Sequence, residues 1–192
     1  MRTVLVSALC SLLFALCLLP SARAETIDRV LAILPGQIVT LSDVEAALDL
    51  GLVEAPDGSD RISGALSALI DRVLMLNEVR RVVPPEPGID AINGRVARIR
   101  QRFGSPAALA RVLEVRGIDE AVLRLYAADD LRLASYLDER FSAAAQPTDQ
   151  EVRQAGESAR ERLAEERRRA LISAWTAELR RRADVTVLDA RN

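Results

Sequence analysis

Adjacent carboxylates are the residues of this chain whose types could do chemistry: Asp129-Asp130, Asp138-Glu139 and Glu165-Glu166. Two carboxylates can share general acid and base roles when they face each other across a site. Successive residues on a helix do not face each other, so these pairs read as solvated helix faces. Asp129 has a second reading, turned inward against an arginine. The groups that usually do acid–base and nucleophilic work are scarce. The chain has no histidine and no lysine, and its two cysteines are Cys10 and Cys17. A catalytic triad, a zinc site of the usual ligands and a thiol redox site therefore have no residues downstream of Cys17 to build them. Asp57-Gly58-Ser59-Asp60 is too short for a calcium loop of EF-hand type. No metal and no cofactor is expected.

Two arginine triplets, Arg167-Arg168-Arg169 and Arg180-Arg181-Arg182, could suggest a nucleic-acid or membrane surface. Glu161, Glu165, Glu166 and Glu178 interleave with them at helical spacings, which makes a salt-bridged, solvent-facing helix the simpler reading. The formal charge is −2. A nucleic-acid partner calls for a basic surface instead, and five aromatic residues beyond the N-terminal segment (Phe103, Tyr126, Tyr136, Phe141, Trp175) are few for base stacking.

The first 24 residues have the layout of a cleaved signal peptide. Arg2 is the positive start, Val4 to Leu19 is almost wholly apolar, Pro20 ends the run, and Ala22-Arg23-Ala24 is an A-x-A cleavage site. The expected mature start is Glu25, and the expected compartment is the periplasm. An uncleaved anchor is the rival reading, but the run is short for a span of about 20 residues, so stable membrane insertion is not expected. Cleavage would remove both cysteines. It would also remove Arg2 and Arg23, which moves the formal charge from −2 to −4.

The remaining chain, 25–192, has the size of one domain. IDRVLAIL (Ile27 to Leu34), a Pro35-Gly36 turn and QIVTL (Gln37 to Leu41) form a β-hairpin signature. Ser42 with Glu45 reads as a capping box that opens a helix from Asp43 to about Leu50. A second helix is expected from about Asp60 to Val82, with Leu66, Leu69, Ile70, Val73, Leu76 and Val79 on one face. Pro84, Pro85 and Pro87 stop it. A third spans about Ile89 to Phe103. Ser105-Pro106 opens a fourth that ends at Gly117. Asp119 caps a longer helix to about Phe141, with Val122, Leu125, Leu133, Tyr136, Leu137 and Phe141 as inward candidates, and Ala143 to Pro147 forms a linker. Thr148 with Glu151 is another capping box. It opens a long helix to about Arg182, with a break allowed near Gly156, and Leu163, Leu171, Trp175 and Leu179 make its apolar stripe. Asp184 to Leu188 is a terminal strand, the natural third partner for the hairpin. The expectation is a mainly α fold of five or six helices with a small β-sheet, closed by 148–192.

In the order and spacing of these segments the chain resembles the N-terminal domain of the SurA-type periplasmic chaperones. The likeness runs through Ile27 to Leu48, ALSALIDRVLMLNEVRR (Ala65 to Arg81), Asp90 to Phe141 with its Asp129-Asp130-Leu131-Arg132 and Tyr136 to Phe141, and Arg160 to Leu188. Full-length members carry parvulin-type prolyl isomerase modules ahead of the C-terminal helix. Here Pro147 to Val152 leads almost directly into that helix, and the paired histidines of parvulin sites are absent. The resemblance implies an ATP-independent chaperone that binds unfolded or partly folded polypeptides of outer-membrane type, without isomerase activity although the family name carries it.

Leu48, Leu50, Leu52 and Val53 follow the first helix into a glycine- and proline-bearing loop. If exposed, they would form an apolar groove for other chains. The alternative has them packed on the Asp60–Val82 helix. A different class of function is a structural or adaptor subunit that binds one folded partner through the arginine- and glutamate-rich helix.

Overall fold

A computed structural model describes residues 28–55, 58 and 60–188. The expected leader, its cleavage site, Glu25, Ile27 and three loop residues, Pro56, Asp57 and Ser59, lie outside these. Among the described residues the fold is seven α-helices and one three-stranded sheet.

β1 (Val30–Leu34) and β2 (Gln37–Thr40) make the expected hairpin. Proline sets the first central position of the turn, and Gly36 supplies the positive φ of 78° that the second requires. The register pairs Leu34 with Gln37, Ile33 with Ile38 and Ala32 with Val39, then shifts before Val30 meets Thr40. That irregularity lets consecutive Leu31 and Ala32 both be buried, at 1% and 0% exposure. β3 (Thr186–Val187) pairs antiparallel with β1, giving the order β2-β1-β3, and the Leu188 N–H extends the contact to the Leu31 carbonyl at 2.8 Å. The terminal strand therefore closes the sheet, over fewer residues than its apolar run suggested.

α1 (Leu41–Asp49) begins directly at the end of β2. Its cap is Thr40 rather than Ser42. The Thr40 side chain accepts from the Asp43 N–H at 3.3 Å, and Asp43 accepts from the Thr40 N–H at 2.9 Å. Both Thr40/Asp43 and Ser42/Glu45 have capping-box spacing. The hairpin decides between them, because the Leu41 N–H still bonds across to Arg29 and chain extension ends there. Glu45 is released to pair with Arg116.

α2 (Arg61–Val82), α3 (Ile89–Arg102), α4 (Pro106–Arg116) and α5 (Glu120–Ala145) follow. Ser105 caps α4 with Pro106 at its first position, Gly117 ends it in the left-handed conformation, and Asp119 caps α5, all as the sequence predicts. α5 runs on through Ala143–Ala145, so the expected linker shrinks to a turn at Gln146 and Pro147. Ala145 is 2% exposed, and burial of this small residue continues the helix. Thr148 and Glu151 form their capping box at the start of α6 (Asp149–Ala155). Gly156, at φ 89°, then breaks the long C-terminal helix, and a 3-10 turn (Glu157–Ala159) leads into α7 (Arg160–Arg182). That break and the separate α6 account for seven helices where five or six were expected.

Two apolar clusters hold these elements. The first gathers Leu31, Leu34 and Val39 from the sheet, Val44 from α1, the α2 face around Ile70 and Val79, Leu133, Tyr136 and Phe141 from α5, and Trp175 and Leu179 from α7. The second gathers Leu50, Val96, Ile99, Leu109, Leu123 and Ala127. Leu125, expected inward, is 61% exposed, and Leu123 takes that place at 0%.

Candidate functional site

A cavity of about 120 Å³ opens between β2, α1, α2 and α5. Its walls follow from the helical period. On α2, Leu69, Val73, Leu76 and Arg80 recur at three- and four-residue spacing beside Arg72. On α1 the small residues Ala46 and Ala47 leave space, while β2 contributes Gln37 and Val39 and α5 contributes Tyr126 and Asp129. Its volume is near the roughly 150 Å³ of an apolar cavity that takes up benzene, so one aliphatic or aromatic side chain matches it in size.

Charge around the cavity is balanced and internally paired. Asp129 accepts from Arg80 Nη2 and from Arg132 Nη1, both at 3.0 Å. Asp130 accepts from Arg72 Nη2 at 2.5 Å on one oxygen, and from Arg95 Nε at 2.8 Å and Nη2 at 2.5 Å on the other. Arg132 reaches on to Glu86 at 2.5 Å. Each aspartate thus joins an arginine of α2 to a second arginine. Their divergent directions, which argue against a catalytic dyad, are what let them serve different partners. Asp129 takes its inward reading. Asp130, with a side chain 12% exposed, is inward as well and is not the solvated residue expected. It follows the buried Leu123 and Ala127 on the same face of α5.

Two groups here lie above their ordinary values, for different reasons. The hydrogen bond to Glu86 raises the Arg132 guanidinium above its ordinary value against the opposing effect of burial, helped by Asp129. Burial pushes the Tyr126 hydroxyl up, with the Asp43 charge adding and Arg72 opposing. Tyr126 is one of the residues that line the cavity. The site offers apolar walls, a phenol and charges already engaged with one another, an arrangement suited to binding by shape and burial.

The four candidate groove residues separate. Leu50 is 0% exposed and sits in the second cluster, while Val53 is 8% exposed in the first. Leu48 is half-buried against the first cluster, and Leu52 packs between both and lines the cavity. The groove that needed all four exposed does not form, because burying them ties the two clusters together across α1 and the loop after it. The alternative, packing on α2, fits Leu48, Leu52 and Val53, which join the cluster that α2 builds, but not Leu50.

The arginine triplets also divide. Arg169, Arg181 and Arg182 pair locally with Glu165 and Glu178, as the spacing predicts. Arg167 instead reaches the Gln146 carbonyl at 2.8 Å and Glu151 at 2.5 Å, and Arg180 pairs with Asp71 and donates to the Ser67 carbonyl at 2.6 Å. These two fasten α7 to the body. Trp175 lies inside that seam, 5.7 Å from both Tyr136 and Phe141, with the Arg140 guanidinium 5.5–5.8 Å from all three rings. It is a core residue.

Among the described residues no group of three or more His, Cys, Asp or Glu could hold a metal ion, and no helix is long and apolar enough to cross a membrane. No protein-family model matches the chain, and no curated protein matches it.

Proposed function

We propose that this protein is an ATP-independent holding chaperone of the periplasm that shields unfolded or partly folded polypeptides and performs no covalent chemistry. The supporting observation is apolar surface beside a sheet edge. Ile33 and Ile38 are cross-strand partners on the outer face of the hairpin, 46% and 56% exposed, and the cavity opens against the same β2 strand. Apolar surface of this kind marks contact sites for other chains. The order of segments, which resembles that of SurA-type chaperones, supports the same reading. Affinity per site is weak, because an unfolded client is ordered as it binds.

The test is aggregation of several unrelated unfolded clients followed by light scattering, without nucleotide. The protein should slow all of them at near-stoichiometric amounts. Failure to slow any of them rejects the proposal, and capture of one stoichiometric folded partner would favour an adaptor. A clear acceleration of prolyl isomerisation would overturn the non-catalytic reading. The N-terminal sequence of protein recovered from the periplasm should begin at Glu25.

A further inference from the structure

We infer that a client docks as an added strand along β2, with one apolar side chain in the cavity and its neighbour on Ile38. This inference rests on the holding-chaperone reading and specifies the form of its ligand, an extended segment with two consecutive apolar residues.

β2 is an edge strand, and edge strands present backbone groups to which another chain can pair. Register identifies the groups. The Leu41 N–H points across the hairpin to Arg29 at 2.8 Å. Alternation along an antiparallel pair turns Val39 and Gln37 the same way and leaves Ile38 and Thr40 facing outward. The Thr40 N–H is held by Asp43 at 2.9 Å. Ile38 therefore offers the outward N–H and C=O, enough to set the register of an incoming strand but too few for a long ladder.

Side-chain alternation then sorts the client. A residue opposite Val39 points to the inner face, where Gln37 and Val39 line the cavity. The residue next to it, opposite Ile38, points to the outer face and meets the exposed Ile38 and Ile33. The cavity holds Arg72 and Arg80 against Asp43 and Asp129, so a charged side chain gains no net attraction and an apolar one of leucine or phenylalanine size is preferred. The opposite edge, β3, is only two residues long.

The test uses a short fluorescent peptide with a Phe-Val pair among Ser and Gly, read by anisotropy, and the same peptide N-methylated on the backbone of that pair. Ile38→Pro removes the outward N–H at an edge position that tolerates proline. Roughly tenfold weaker peptide binding is expected for I38P, and a similar loss on methylation with the unaltered protein. Equal binding of the methylated and plain peptides overturns the inference, and so does a folded I38P that binds like the parent. If I38P fails to fold, the methylated peptide decides alone. Aggregation assays run in parallel separate the two levels: a protein that holds clients but ignores the peptide refutes strand docking only, whereas one that does neither refutes the chaperone reading with it.

Discussion

The two apolar clusters are built from different stretches of chain. The first needs residues as far apart as Leu31 and Leu179, while the second is complete between Leu50 and Ala127. α5 belongs to both, giving Leu123 and Ala127 to one and Leu133, Tyr136 and Phe141 to the other, with Asp129 and Asp130 at the crossover. The cavity-bearing half therefore depends on residues from Leu31 to Leu179, and the other half does not. Ion pairs sit where a single helix changes from one cluster to the next.

The largest expected effect is at Trp175. Trp175→Ala should cost about 4 kcal/mol, and Leu50→Ala about 3 kcal/mol, by the cavity each leaves. Native-state hydrogen exchange would sharpen the contrast. The tryptophan change should deprotect α2 and α7 while α3 and α4 keep their slow amides. Uniform loss of protection in both variants would show that the two clusters unfold as one.

Asp130→Ala should cost about 3 kcal/mol in urea unfolding, because it strands the nearly buried Arg72 beside Arg95. Asp130 lies at the crossover, so its effect should be non-additive with both cluster variants. Strict additivity would break the idea of a shared junction.

Deletion from Asp184 onward removes the β3 pairing and the Leu188 bond, and should cost about 2 kcal/mol. Both residues of β3 are exposed, so the loss should lie below that of either core variant. A truncated protein melting like the parent would show that the sheet does not need its third strand.

The smallest effect concerns acid. The Thr148 backbone N–H, the Thr148 hydroxyl and Arg167 hold Glu151 below its ordinary 4.5. The folded value is the depressed one, so the stabilisation is present above about pH 4.5 and fades as pH falls through the lower folded value. Glu151→Gln should therefore melt below the parent at pH 6, with the gap closing towards pH 3. A gap that widens in acid would contradict the sign.

Much of the fold was legible because its signals are local. Ser105-Pro106, Gly117, Asp119 and Thr148/Glu151 each act within four residues, and each marks a true boundary. The first capping box misled because two candidates overlap and a hydrogen bond from Leu41 to Arg29 chooses between them. The site was less legible. Leu52 was a candidate, but the cavity's other walls come from α2 and α5, and no spacing within the sequence indicates that Asp130 will meet Arg72 and Arg95. Leu123 and Leu125 lie two residues apart on the same helix, and only the packing of α3 and α4 distinguishes them.

The closing of the sheet by β3 has a consequence for the order in which the core can assemble. Wherever the chain folds, it emerges from its start, so Leu50 to Ala127 are available to one another before Trp175, Leu179 and Val187 follow. The second cluster can form on the emerging chain, whereas the cluster of Leu31, Leu34 and Val39 stays incomplete until Trp175 and Leu179 arrive. During that interval the protein shows its surroundings the sort of sticky, half-finished surface that its finished form is proposed to hold.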